Sequence, residues 1–157
     1  MRVRCFVRVY LDNCCFKRPY DKQVRPDVIA ESRAVSEVLE LVDNNKVELV
    51  ASFISILENK RDPRPKPRID TLNHILKAST YISSAAPVSA IAKQLAESLD
   101  AFDAIHVACA IAAHCDYFLT TDKRVLQLKD ARIITMNPVN FASLWKEGSN
   151  DNCRDER

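Results

Sequence analysis

The chain has 157 residues and a formal net charge of +2, which favours one domain with its own core and indicates no particular polyanionic partner. Its single glycine, Gly148, excludes Walker-type and GxGxxG nucleotide-binding loops, because both need glycine where a phosphate approaches the backbone. The six cysteines contain no CxxC pair and no apolar run reaches the length of a membrane span, so we expect reduced cysteines in a cytoplasmic protein.

Apolar periodicity predicts strands that alternate with helices along the chain. Such alternation is typical of an α/β domain with a parallel sheet and helices on both faces. We expect one domain over residues 1–145 and a polar, disordered tail over residues 146–157. The predicted elements are a strand at 6–11, a loop at 14–25, a helix at 27–43, a strand at 47–51, a short helix at 54–58, a solvated proline-rich break at 60–68, a helix at 69–76, a strand at 80–82, a helix at 87–99, a helix from residue 100, a strand at 117–119, a helical turn at 125–128, a strand at 132–135 and a helix at 138–145.

The helix that begins near residue 100 is apolar almost all round, which predicts that it is buried. Asp100 is placed to cap this helix, and Asp103 occupies its third position. An unpaired carboxylate in so apolar a helix would be costly, so Asp103 is hard to explain as a surface residue. His106 lies on the same stripe of the helix.

Four acids from distant parts of the sequence are predicted to meet at one edge of the sheet. Asp12 leaves strand one, Glu58 follows strand two and Asp122 follows strand four. Asp103 begins the helix that packs back along strand four, so its first turn lies over the same carboxyl edge. Carboxylates without paired His or Cys ligands suit Mg²⁺ and Mn²⁺, which can activate water for phosphodiester hydrolysis.

Each acid also has a purely structural interpretation. An Asp at a strand end is usually a turn or cap residue, which applies to Asp12 and Asp122 taken singly. Glu58 alone is more often a solvated helix residue. The metal-site hypothesis therefore depends on the joint placement of the four acids.

Four segments carry a resemblance to a known family: VYLD (9–12), ASFISILE (51–58), DAFDAIHVACA (100–110) and FLTTD (118–122). Together they resemble the PIN-domain family of metal-dependent nucleases, over nearly all of residues 6–145, and YLDNCCFKRPYDKQ resembles one bacterial subgroup of it. The resemblance implies a three-layer α/β/α sandwich around a five-stranded parallel sheet of order 3-2-1-4-5.

The resemblance also implies roles for individual residues and a cellular function. Asp12, Glu58, Asp103 and Asp122 would bind Mg²⁺ or Mn²⁺, with Thr120 as the hydroxyl residue that supports them. Many small members are ribonuclease toxins of type II toxin–antitoxin pairs, dimeric and held inactive by a small antitoxin. We therefore expect a metal-dependent endoribonuclease that acts on RNA, as a homodimer with an antitoxin partner.

Basic residues close to the acids in sequence are candidate RNA contacts, namely Arg18, Lys123 and Arg124. The basic residues of segment 60–68 are either phosphate contacts or part of a solvated loop. We expect His106 to be a hydrogen-bonded residue beside the site rather than a metal ligand.

Two other functions remain open on the sequence alone. The chain can be a catalytically silent PIN-like module that binds RNA or protein, with the acids acting as caps and ion-pair partners. A phosphoacceptor receiver domain shares the strand-end Asp and Thr but is less consistent with the sequence, which lacks the paired acids near strand one and a convincing Lys after strand five.

Overall fold

Five parallel strands form the central sheet in the computed structural model, which describes the backbone of residues 6–155 and the side chains of residues 6–148. The strands are β1 (Val7–Leu11), β2 (Val47–Ser52), β3 (Thr80–Ile82), β4 (Tyr117–Leu119) and β5 (Ile134–Met136). They lie in the spatial order β3-β2-β1-β4-β5, and every neighbouring pair is parallel. This topology confirms the α/β class and the strand order expected from the sequence.

Helices cover both faces of the sheet, which gives three layers. One layer contains α5, α6 and α7, and the other contains α1, α2, α4 and α8. Helix α3 packs with both, through Ile54 on the α6 side and Ile56 on the other. No helix within residues 6–155 is both long enough and apolar enough to cross a lipid bilayer. The helices are α1 (Asn13–Lys17), α2 (Pro26–Asp43), α3 (Phe53–Lys60), α4 (Pro65–Ile75), α5 (Ala86–Leu95), α6 (Ala101–Ala112), α7 (Lys123–Leu126) and α8 (Pro138–Asp155).

The central strand β1 is buried on both sides because successive side chains point to opposite faces of the sheet. Val9 and Leu11 pack with α1, α2 and α8, whereas Tyr10 packs with α6. Asp12, two residues after Tyr10, follows the alternation towards the α6 side. Cys14, Cys15 and Cys109 are free thiols and Cys115 is buried, while the side chains of Cys5 and Cys153 lie outside the described residues.

Several segments differ from the predicted secondary structure: the proline-rich break covers residues 61–64 instead of 60–68, and α5 ends at Leu95 instead of near residue 99. Residues 14–25, predicted as a loop, begin within α1 and continue into a 3-10 turn (Arg18–Tyr20). Cys15 and Phe16 are buried there, but a five-residue helix is too short to show an apolar period. At the other end, α8 continues to Asp155 instead of ending near residue 145, across residues predicted as a disordered tail. Its polar second half carries no apolar stripe, and the domain boundary at residue 145 stays a prediction.

The proline-rich break between α3 and α4 is short, and Lys17 of α1 holds it in place. The α3 helix ends at Lys60, and α4 starts at Pro65, because proline fits the first turn of a helix. The Lys17 ammonium donates to Asn59 Oδ1 at 2.5 Å and lies 3.1 Å from Asp62 Oδ2. The end of α3 that carries Glu58 is therefore held in place from outside the helix.

Candidate metal centre

Asp12 lies at the carboxyl end of β1 and is only 5% exposed. Because β1 pairs with β4, with Leu11 opposite Leu119, Asp12 lies beside Thr120 at the ends of neighbouring strands. The Thr120 hydroxyl donates to Asp12 Oδ2 at 2.9 Å and accepts from the Asp122 backbone N–H at 3.1 Å. One buried hydroxyl thus orients Asp12 and fixes the backbone at Asp122.

Glu58 reaches the same edge of the sheet from α3. This helix starts directly after β2, so its eight residues suffice to bring Glu58 towards Asp12. His106 Nε2 lies 2.6 Å from Glu58 Oε2. Asp12, Glu58 and His106 each offer a ligand atom, and these three atoms lie within 4.8 Å of one another. The structure thus brings Glu58 to Asp12 although a proline-rich segment follows it.

Asp103 lies in the first turn of α6, and its backbone N–H donates to the N-cap Asp100 at 3.0 Å, as the sequence predicts. Burial, followed by the charges of Asp12, Asp100 and Asp122, raises the pKa of Asp103 to about 7. The Asp103 N–H lowers the pKa of Asp100. Asp103 is therefore coupled electrostatically to the other acids, although it is outside the 4.8 Å group.

The negative charges of Asp12, Glu58 and Asp103 are not balanced by neighbouring Lys or Arg side chains among the described residues. Burial raises the pKa of Asp12, and the charge of Glu58 adds to this effect, while His106 and the Thr120 hydroxyl oppose it. Within the described part of the chain, no Lys or Arg forms an ion pair with Asp12, Glu58 or Asp103. Carboxylates that raise one another's pKa favour a cation between them. This set of oxygen donors fits Mg²⁺ or Mn²⁺.

Asp122 has a clear structural role besides its place near the cluster. It is the N-cap of α7, and its Oδ1 accepts from the Arg124 backbone N–H at 2.8 Å. The Arg124 guanidinium also lies 3.6 Å from Asp122 Oδ2. Both oxygens of Asp122 thus face Arg124, and Asp122, like Asp103, lies outside the 4.8 Å group.

Sequence reasoning missed a buried polar chain that ends on Glu58. The Tyr10 hydroxyl lies 2.7 Å from His106 Nδ1, 2.6 Å from Ser52 Oγ and 3.0 Å from Ser55 Oγ. Ser52 is the N-cap residue of α3, but its side chain makes no cap hydrogen bond and faces Tyr10 instead. In the sequence, Tyr10 looks like an ordinary core residue of an apolar strand. Only the register of the sheet shows that its hydroxyl belongs to this series of hydrogen bonds.

A sequence model of the PIN domain matches residues 9–131. The chain belongs to the PIN domain family. No curated protein sequence matches this chain.

Two solved structures share the fold of this PIN domain. VapBC2 from Rickettsia felis, bound to a DNA fragment from its promoter, has a TM-score of 0.57 and 15% identity, over 83% of this chain and 98% of the other. DNA-bound VapBC from Salmonella typhimurium has a TM-score of 0.57 and 14% identity, over 85% of this chain and 99% of the other. At these identities the likeness concerns the fold.

The basic residues around the acids of this PIN domain differ in how firmly they are held. Arg18, a predicted RNA contact, forms hydrogen-bonded ion pairs at 3.1 Å with Asp21 and with the buried Glu31. Lys123 is exposed and forms no ion pair with the described residues. Arg61, three residues after Glu58, lies 4.9 Å from the ring centroid of Phe102, next to Asp103. Lys123 and Arg61 are thus available to an anionic ligand.

Proposed function

We propose that this PIN domain is a Mg²⁺- or Mn²⁺-dependent endoribonuclease. The observation that carries the proposal is the buried Asp12 carboxylate with Glu58 beside it and Asp103 coupled to it, without a Lys or Arg side chain among them. Thr120 and His106 hydrogen-bond to Asp12 and Glu58, but among the described residues no Lys or Arg balances the charge of the three carboxylates. Membership of a family that typically consists of nucleases supports the same conclusion.

Four acids and one hydroxyl carry the proposed reaction. Asp12, Glu58, Asp103 and Asp122 would hold the cation, and Thr120 keeps Asp12 oriented by its 2.9 Å hydrogen bond. A bound divalent cation lowers the pKa of water and neutralises charge on a phosphodiester. The chain's own part is to fix the oxygen donors around the cation and to position the phosphate beside it.

RNA is the proposed substrate, held through its phosphates. Lys123 begins the helix capped by Asp122, and Arg61 lies over Phe102, so both cations are close in sequence to the acids. Neither has an acidic partner among the described residues. Such contacts supply affinity without reading sequence, so we expect salt-sensitive binding. Arg124 would add a weaker contact, because Asp122 already faces it.

A small antitoxin is the proposed protein partner. Two structural neighbours of this chain are VapBC complexes on DNA, among other solved structures that match, and they support a toxin–antitoxin role for it. On α4 and its C-cap, Ile69, Leu72 and Leu76 are exposed at helical spacing, with exposures of 55%, 38% and 70%. An apolar stripe of this kind marks a protein contact surface. Co-purification with the product of a neighbouring reading frame, lost in Leu72→Asp, tests this proposal. A homodimer remains a prediction from the family resemblance.

Cleavage of RNA with and without divalent cations tests the proposed activity. We expect cleavage with Mg²⁺ or Mn²⁺, none with EDTA, and none in Asp12→Asn or Asp103→Asn, with both variants still folded by circular dichroism. The conservative surface variant Asp43→Asn, far from the acids in the chain, is the control. RNA binding that is unaffected by EDTA, with no cleavage and no stabilisation by Mn²⁺, would instead favour a catalytically silent RNA-binding module.

A further inference from the structure

We infer that His106, supported by Tyr10, is a positioning residue that aims Glu58 at the metal and is not itself a ligand. This inference rests on the proposed function in so far as Glu58 binds the cation. It assigns a role to four buried polar residues that the proposed chemistry otherwise leaves unused: Tyr10, Ser52, Ser55 and His106.

The burial of this group calls for an explanation. Tyr10 and Ser52 are completely buried, and Ser55 and His106 are each 1% exposed. The surrounding core is apolar, and Tyr10 stacks on Phe118 with 5.3 Å between ring centroids. Burying polar groups costs free energy unless all of them are hydrogen-bonded. Here each one has a partner, and the chain of contacts leads to the half-exposed Glu58.

The donors and acceptors of these side chains are consistent with hydrogen bonds that all run in one direction, from a serine through Tyr10 and His106 to Glu58. Burial raises the pKa of Tyr10 well above its ordinary value, so the phenol keeps its proton and has an O–H to donate. An ionised Glu58 can only accept, so His106 Nε2 carries a proton. In a neutral imidazole Nδ1 is then bare and accepts from Tyr10, which accepts in turn from a serine hydroxyl.

This arrangement gives Glu58 a fixed hydrogen-bond partner near the end of a short helix. A glutamate loses considerable rotamer freedom when it is held in one position. The bond from His106 fixes Oε2, and Oε1 has no hydrogen-bond partner among the described residues, so it remains available to a cation. A ligand role for His106 would require a bare Nε2 and would break this bond. Groups that orient metal ligands in this way contribute to affinity without touching the metal.

Mn²⁺ binding followed by electron paramagnetic resonance tests the inference through a double-mutant cycle. His106→Leu is expected to weaken Mn²⁺ binding by about 10-fold or more, and His106→Gln, whose amide can still donate to Glu58, to lose less. In a Glu58→Gln background, His106→Leu should cost no further affinity, because the two residues act as one unit. Additive losses would overturn the inference. Val107→Ala, a buried change on the same helix without polar contacts, controls for core destabilisation.

The tautomer of His106 gives a readout that needs neither metal nor activity. In ¹⁵N NMR of the metal-free protein at mildly alkaline pH, we expect the Nε2–H form, assigned by loss of the signal in His106→Gln, and a shifted signal in Glu58→Gln. An Nδ1–H form would contradict the inference and favour a ligand role. An Nε2–H form in a protein that neither binds Mn²⁺ nor cleaves RNA would support the positioning of Glu58 and contradict the proposed function.

Discussion

The Thr120 hydroxyl donates to the Asp12 carboxylate across the ends of β4 and β1, and this 2.9 Å bond connects two strands that are 108 residues apart in sequence. Thr120→Val keeps the shape of the side chain but leaves a buried carboxylate oxygen without its donor. We expect the free energy of unfolding to fall by about 1–3 kcal/mol in EDTA, measured by denaturant titration.

The same variant should bind Mn²⁺ more weakly, because Asp12 loses the donor that orients it, by about 10-fold or more. Thr120→Ser, which retains the hydroxyl, is the matched control and should recover most of the affinity. Equal Mn²⁺ affinity in Thr120→Val and the wild type would show that the Thr120 hydroxyl does not orient Asp12 for the metal.

Asp103→Asn is expected to change stability and activity in opposite directions. Because burial and the Asp12 charge disfavour ionised Asp103, a neutral amide should raise the Tm of the metal-free protein, by roughly 2–4 °C for each kcal/mol of relieved repulsion. Cleavage should be lost, and added Mn²⁺ should no longer raise the Tm. Differential scanning fluorimetry with EDTA or Mn²⁺ measures both effects. A lower Tm in EDTA would mean that Asp103 has a stabilising partner.

The sequence predicts the parts of this molecule that depend on local pattern and on the geometry of parallel sheets. Asp12 and Thr120 follow adjacent strands, so their meeting is a consequence of strand order once that order is known. Asp103 stands out because its helix is otherwise apolar. A single sequence is enough to predict these features, because each follows either from a local pattern or from the strand order.

The residues that escape prediction depend on contacts between elements. Tyr10 meets Ser52 because β1 pairs with β2 in a particular register, and it meets His106 because α6 packs on that face. No local spacing encodes either contact. The role of Arg18 is similar, since its guanidinium is taken up by Glu31 on α2 although it lies close to Asp12 in sequence.

Arg18 and Lys123 should therefore respond differently to alanine substitution. Arg18→Ala leaves the buried Glu31 with its hydrogen bond from Asn137 but without its cationic partner, so we expect lower stability. Lys123→Ala should leave stability unchanged and weaken binding of single-stranded RNA, with the logarithmic salt slope reduced by about 0.7 for one lost phosphate contact. Fluorescence anisotropy at several salt concentrations, with Asp12→Asn present to prevent cleavage, measures this slope. An unchanged slope in Lys123→Ala would exclude Lys123 as a phosphate contact.

The ion pairs of Asp62 with Lys17 and Arg64, which hold the proline-rich segment against α1, should weaken in acid. Side-chain and backbone hydrogen bonds from Arg64, together with Lys17, hold the pKa of Asp62 well below its ordinary value. The folded protein thus keeps this carboxylate ionised at a pH where the unfolded chain protonates it. Its contribution to the free energy of unfolding is present above about pH 4 and is lost as pH falls further.

Asp62→Asn should lower stability at neutral pH and reduce the further loss of stability in acid. Denaturant titration between about pH 3 and 7 measures both effects. The same pH dependence in Asp62→Asn and the wild type would contradict this assignment. Since α3 ends beside this attachment, a loss of Mn²⁺ affinity in Asp62→Asn at neutral pH would show that the attachment also supports Glu58.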